Sequence, residues 1–158
     1  MCKEKTPWEK CVEFHGHECM GLATGFRQAN AALDALGIVR GTAEELTAVV
    51  ENRNCSTDAI QVLTGCTFGK SNFIYNQTGN QALTLANKRT GKAVRILAKP
   101  KATRPEDGSY NALRAKISDG TATEEEKAVW TVQSKGRINA FLSAPIDDLY
   151  TIEEVPMP

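Results

Sequence analysis

The sequence carries no net charge: nineteen lysines and arginines offset nineteen aspartates and glutamates. Grip on a nucleic-acid backbone needs an excess of cations on one face, so this balance leaves no electrostatic footprint for nucleic acid. No apolar run approaches the roughly 20 residues that cross a bilayer, which argues against a helical membrane span. The stretch Met1-Cys2-Lys3-Glu4-Lys5-Thr6-Pro7-Trp8 has no apolar signal core, so the expected location is cytoplasmic. There is no Cys-x-x-Cys pair, which removes the zinc-finger reading. Internal repeats and low-complexity segments are also lacking. What remains is 158 residues, 41% apolar and 24% charged, enough for one ordinary domain with its own core and too apolar for disorder.

Five cysteines are present, Cys2, Cys11, Cys19, Cys55 and Cys66. An odd count without an export signal argues against a disulfide framework. Each thiol is then a core residue, a metal ligand or a nucleophile. Cys2 and Cys11 have no ligand-type neighbours; Cys2 reads as terminus and Cys11 as core.

Apolar spacing over residues 4–14 is close to helical, with Thr6 or Pro7 opening the helix. Leu22, Phe26, Ala29, Leu33 and Leu36 line one face of a second helix, and Gly37 sits where a terminating glycine belongs. Residues 46–51 read as a strand. Cys55 precedes a third helix, for which Ser56 or Thr57 is the expected cap. Three runs follow, 72–76, 82–88 and 93–99, separated by turn signals at Thr78-Gly79-Asn80 and Thr90-Gly91, so an antiparallel meander is expected. Pro100 and Pro105 mark a boundary. Helices are then expected over 111–118 and 124–142, the second opened by a Thr123/Glu126 capping box and closed by Pro145. Tyr150–Val155 reads as a short edge strand. Segregated helices and strands predict an α+β fold, a single layer of sheet covered by helices. The expected organisation is one domain over 1–158, with core motifs in 8–100 and a helical extension over 105–145.

Chemistry concentrates in His15-Gly16-His17-Glu18-Cys19, which holds both histidines of the chain. Imidazole nitrogen and thiolate sulfur are the ligands of zinc, nickel, copper and iron. If the segment is extended, His15, His17 and Cys19 point to one side; if helical, His15 and Cys19 share a face. Gly16 and Gly21 permit a tight loop that aims these side chains inward. Cys55, just before a helix N-terminus, is placed to ionise. Asp58, in the first turn of that helix, ordinarily complements the dipole; its functional role would be to accept a histidine N–H or act as a base. Lys70 near Cys66 would lower that thiol's pKa, although a solvated lysine is the ordinary reading. Gly65–Ser71 is not a phosphate loop: three residues separate its glycines where four are needed, and a helix precedes it.

Phe14-His15-Gly16-His17-Glu18-Cys19-Met20-Gly21, Cys55-Ser56-Thr57-Asp58-Ala59-Ile60-Gln61 and Thr64-Gly65-Cys66-Thr67-Phe68-Gly69-Lys70 together resemble the FmdE family of formylmethanofuran dehydrogenase-associated proteins. Its pattern is His-Gly-His-x-Cys-Pro-Gly, then Cys-x-x-Asp-Ala-Ile-Gln, then Gly-Cys-Thr-x-Gly-Lys. The resemblance spans residues 8–100. It implies an α+β core that forms a homodimer and carries a metal-capable His/Cys cluster. The family is named for genes near a molybdenum or tungsten enzyme. Met20 stands where the family has proline, which either loosens the loop or leaves a thioether near the site. No cysteine follows Cys66, so the zinc ribbon of some members is not expected.

Three functions fit these residues. The first is a metalloprotein with His15, His17, Cys19 and Cys55 as candidate ligands for zinc, or else nickel or iron. Within it, His17, Cys19 and Cys55 lead, and His15 or Cys66 completes the set. The second is a metal-independent thiolate enzyme in which Cys55 or Cys66 attacks and His17 is the base, with Cys66, Asp58 and Lys70 as catalytic candidates. The third is an accessory that serves a larger molybdenum or tungsten oxidoreductase. None calls for nucleic acid or membrane as a partner.

Overall fold

The structure, a computed structural model, describes residues 3–39, 45–103 and 108–158. The expected terminus at Cys2 and boundary at Pro105 lie outside the described residues. Helix α1 spans Pro7–His15. Thr6 caps it reciprocally: its hydroxyl accepts from the Glu9 N–H at 3.2 Å, and the Glu9 carboxylate accepts from the Thr6 N–H at 2.7 Å. Gly16 stops it at φ +98°. Helix α2 spans Met20–Ala35 and ends as the sequence implies. Gly37 takes φ +65°, its N–H reaches Asp34 O at 3.0 Å, and Ile38 N–H reaches Leu33 O at 2.9 Å. That pair of bonds is a Schellman motif.

Strand β1, Leu46–Val50, leads into helix α3, Ser56–Thr64. Neither Ser56 nor Thr57 is the cap residue. Cys55 holds that position without a capping bond of its own. The Ser56 N–H is met instead by Asn54 Oδ1 at 2.9 Å.

The remaining strands are β2, Phe73–Tyr75, β3, Ala82–Asn87, β4, Lys92–Ala98, and β5, Tyr150–Val155. The sheet order is β2-β1-β3-β4-β5. The three middle runs therefore do not form a meander. β2 pairs in parallel with β1, and β1 lies between β2 and β3. Parallel neighbours need a crossover, and α3 supplies it. The burial of the strands explains the placement. Leu46, Thr47, Ala48 and Val50 are buried, as a central strand requires, whereas Ile74 and Tyr75 are 46% and 43% exposed, as an edge tolerates. The turn at Gly91 is a hairpin, and β5 pairs antiparallel to β4 at the other edge, as expected.

After β4 come α4, Pro100–Thr103, α5, Gly108–Asp119, α6, Glu124–Ser143, and α7, Ile146–Leu149. The Thr123/Glu126 capping box forms, with bonds of 3.1 and 2.9 Å. The fold is α+β with one sheet. Leu46, Ala48 and Val50, Leu83 and Leu85, Val94 and Ile96, and Tyr150 pack from the sheet against Cys11, Leu22, Ala29, Ile60, Ile138 and Phe141 of the helices. Cys11 is core, as its neighbours imply.

Helix α2 ties this layer together through polar groups as well. The Tyr150 hydroxyl donates to Thr24 O at 2.7 Å. The Arg27 guanidinium donates to Phe141 O, Leu142 O and Ala144 O at 2.9, 2.6 and 2.5 Å, satisfying carbonyls that the end of α6 leaves orphaned.

Across the sheet, Arg95 forms a two-bond fork with Glu51, at 2.7 and 3.0 Å. Thr78 and Asn80 donate to the same carboxylate. With Arg95 beside it, the Glu51 carboxyl is pulled down to about 2 from 4.5. A carboxyl depressed in the folded state stabilises above its unfolded pKa and loses that contribution as pH falls toward the folded one. Arg95→Met should therefore destabilise by about 2 kcal/mol at pH 7, read by urea denaturation. The gap from the parent should narrow steadily between pH 4.5 and about 2; a gap that is constant with pH would contradict this account of Glu51.

Candidate metal centre

The histidine segment is neither one strand nor one helix. Gly16 ends α1 one residue after His15, and Cys19 caps α2, so residues 16–19 form a tight corner between two helices. Trp8 packs edge-on against Phe26, with centroids 5.3 Å apart, and fixes that corner. The ligand atoms of His15, His17 and Cys19 lie within 4.8 Å of one another. The two imidazoles are 4.6 Å apart, tilted by 33°. His15 is largely buried, its side chain 11% exposed, Cys19 is half-buried, and His17 faces solvent.

Asp58 determines how His15 presents itself. Its carboxylate lies 2.7 Å from His15 Nδ1. An Nδ1–H donating to that carboxylate leaves the Nε2 lone pair bare. Nε2 in turn faces Cys19 Sγ at 3.6 Å. A tetrahedral zinc with a nitrogen at 2.0–2.1 Å and a sulfur at 2.3 Å separates those two atoms by about 3.6 Å. The residues present thus fit a divalent transition ion: one edge of its coordination polyhedron already has the right length.

Cys19 Sγ also accepts the Leu22 N–H at 3.3 Å. Burial pushes its pKa up and the adjacent Cys55 adds to the rise, against the pull of the Leu22 and Gly21 amides. A cation in the site would favour the thiolate.

Cys55 reaches Cys19 because α2 and α3 touch through glycines. A Cβ on Gly21 would sit 3.0 Å from Cys55 Cβ and 3.7 Å from its Sγ. A Cβ on Gly25 would sit 2.0 Å from Ser56 O, so Gly25 is required by sterics. Gly21 therefore serves helix packing rather than loop freedom; it lies within α2. Cys55 lies against Cys19 but outside the tight set of three.

An amide network, buried at Gln28 and Ser56 and open to solvent at Asn54, holds this end of α3. Ser56 Oγ donates to Asn54 Oδ1 at 2.5 Å and accepts from Gln81 Nε2 at 2.9 Å. Gln81 Nε2 also donates to Gln28 Oε1 at 3.0 Å, and Gln28 donates to Ile96 O at 2.8 Å. Gln81 Oε1 accepts from Asn52 and Asn54. Sequence reasoning missed Gly25, Gln28 and Gln81. A glycine inside a strongly periodic helix was the available signal for the first.

Cys66 is wholly buried in the hydrophobic core. Burial pushes its thiol up, and the Thr64 hydroxyl, the Lys70 charge and the Ala48 backbone oppose that only partly. Lys70 is exposed. The structure therefore brings Asp58 to His15 and Cys55 to Cys19, and leaves Cys66 outside the mutually close ligand set. Glu18, set among the ligand residues, turns away. It accepts from Trp8 Nε1 at 3.3 Å and from Lys135 Nζ at 2.6 Å. Those two donors, Lys135 first, hold it below the usual carboxylate range.

Fold and site define the class: an α+β protein with a histidine/cysteine ligand cluster at the joint between its first helices. The family described as FmdE, molybdenum formylmethanofuran dehydrogenase operon, matches residues 14–151, and the chain belongs to it. The match extends past residue 100 through the C-terminal helices. A crystal structure of a tungsten formylmethanofuran dehydrogenase FmdE-like protein from Syntrophus aciditrophicus superposes with a TM-score of 0.59. At 24% identity it covers 96% of this chain and 73% of its own, a likeness of fold. A protein of Archaeoglobus fulgidus described as a probable S-adenosyl-L-methionine-binding protein is 40% identical over 91 residues. That match takes in 55% of this chain and a quarter (25%) of the relative's length.

Gly25→Ala should cost about 3 kcal/mol or more, because rigid backbone, not a yielding side chain, occupies the space. Thermal melting reads this. A variant as stable as the parent would mean that α2 and α3 do not cross as closely as described.

Proposed function

We propose that this protein binds one first-row transition ion, zinc in the first instance, through His15, His17 and Cys19, with Cys55 as the fourth ligand. The observation that carries the reading is the His15 ring, held by Asp58 on one nitrogen while the other faces Cys19 Sγ at 3.6 Å. Two imidazoles and two thiolates suit zinc, and nickel or iron compete for such a set. When bound, the ion supplies Lewis acidity. The chain's own part is to orient His15 through Asp58, to exclude water on the Cys19 side by burial, and to leave His17 accessible. With Cys55 as the fourth ligand the chain closes the coordination sphere, which suits a structural or sensory ion.

The family's description supports a role beside a molybdenum or tungsten oxidoreductase, as an accessory protein. A homodimer fits the exposed apolar side chains of the edge strands, Ile74 and Tyr75 on β2 and Ile152 on β5. No helix among the described residues is long and apolar enough to cross a membrane. The thiolate-enzyme alternative draws little support at Cys66, whose burial favours the neutral thiol.

Elemental analysis of tag-free protein tests the reading. About one equivalent of metal per chain is expected; metal-free protein that also fails to take up added zinc would overturn it. His15→Ala and Cys19→Ala should abolish retention, while Cys11→Ala should keep the metal and lose roughly 0.5–3 kcal/mol of stability. Equal metal content in all three would place the ion elsewhere.

Asp58→Asn isolates the orienting role, since it keeps the shape and removes the charge. Zinc affinity, measured by competition with a chromophoric chelator, should fall about 10- to 100-fold. No change would show that Asp58 only complements the dipole of α3.

A further inference from the structure

Two thiols meet where α2 and α3 touch. Cys19 is the cap residue of α2 and Cys55 that of α3. A Cβ on Gly21 would lie 3.0 Å from Cys55 Cβ and 3.7 Å from its Sγ, and the Cys19 and Cys55 thiols are within hydrogen-bonding reach of one another. Both cysteines are free and partly exposed, whereas Cys11 and Cys66 are 0% exposed. A small oxidant in solution therefore reaches this pair and not the other two described thiols. Cys19 has one more neighbour of consequence. His15 Nε2 faces its Sγ at 3.6 Å, while Asp58 holds Nδ1 of the same ring at 2.7 Å. A thiol, a ring nitrogen able to take its proton and a carboxylate that orients the ring are the parts of an activated nucleophile.

We propose that Cys19 and Cys55 form a reversible dithiol–disulfide site that reduces small hydroperoxides, hydrogen peroxide first among them. Cys19 Sγ attacks one peroxide oxygen, the O–O bond breaks, and the Cys19 proton passes by way of His15 Nε2 to the departing oxygen, which leaves as water. Cys19 is then a sulfenic acid. Cys55 Sγ attacks the Cys19 sulfur, the S–O bond breaks as the S–S bond forms, and the Cys55 proton leaves with the hydroxide as a second water. The two thiols give up two electrons and the peroxide gains them. An external dithiol returns both cysteines to the reduced form by exchange. The disulfide would consume two of the proposed ligands and so expel the ion. That consequence alone rests on the metal reading; the dithiol chemistry does not.

The test uses the full chain with Cys2→Ser, which removes a thiol outside the described residues. Hydrogen peroxide is added in slight excess with a chelator present, remaining thiols are blocked with N-ethylmaleimide, and unreduced peptides are mapped by mass spectrometry. A Cys19–Cys55 crosslink is expected, with free thiols falling from four to two and both returning on treatment with dithiothreitol. Cys55→Ser should halt the reaction at a sulfenic acid on Cys19, captured by dimedone, and Cys66→Ala should leave the crosslink unchanged. One equivalent of zinc in place of the chelator should slow the crosslink about tenfold, and the oxidised protein should bind none. Absence of a crosslink, a crosslink to Cys11 or Cys66, or one between two chains would overturn the proposal even if the reduced protein binds zinc. A Cys19–Cys55 crosslink indifferent to zinc would support the dithiol and count against these two cysteines as ligands.

Discussion

Much of the candidate centre depends on one steric allowance: the backbone of α3 rests against α2 where Gly25 offers no side chain. The Ser56 carbonyl occupies the place of a Gly25 Cβ. One turn earlier on α2, Gly21 admits Cys55 in the same way. Because the helices cross so closely, the start of α3 projects into the corner where α1 meets α2. Cys55 comes to Cys19, and Asp58 comes within 2.7 Å of His15. A methyl group at Gly25 would push the start of α3 outward and draw Asp58 and Cys55 away together. Ligand geometry and helix packing are in this sense one constraint.

Such a close crossing would be adaptable if it were only apolar. The amides of Gln28, Gln81, Asn52 and Asn54, with the Ser56 hydroxyl, remove that freedom. Each of these side chains has a partner within the set, and at its buried end, Gln28 and Ser56, breaking a bond would leave a polar group unpaired. Gln28 lies on α2, Ser56 on α3 and Gln81 just before β3, so helices and sheet share one polar knot. Arg27 and Tyr150 extend the same logic to α6 and β5. Helix α6 is thereby held against α2.

Cys19 and Cys66 illustrate how surroundings, and not residue type, assign chemistry. Both are raised by burial. Cys19 has an imidazole nitrogen at 3.6 Å, and a second imidazole and a second thiol close by, so a cation there would have several donors. Cys66 is packed in the hydrophobic core, where the Thr64 hydroxyl, Lys70 and the Ala48 backbone offset its burial only in part. The first setting suits a ligand and the second a packing residue.

The sequence by itself determined what is local. Helix starts at Thr6 and Thr123, the helix end at Gly37, the β3–β4 hairpin, the α+β class and the family were all legible, because capping, turn chemistry and motif spacing act over a few residues. The His15/His17/Cys19 cluster was legible for the same reason. Only the tertiary structure decided that β1 enters the sheet between β2 and β3, that Asp58 turns to His15 rather than serving its own helix dipole alone, that Cys55 joins the corner and Cys66 does not, and that Glu18 leaves it for Lys135. Those outcomes depend on contacts between residues tens of positions apart. They are set by which strand can be buried on both faces and by how closely two helices can approach, and neither quantity is carried by local spacing.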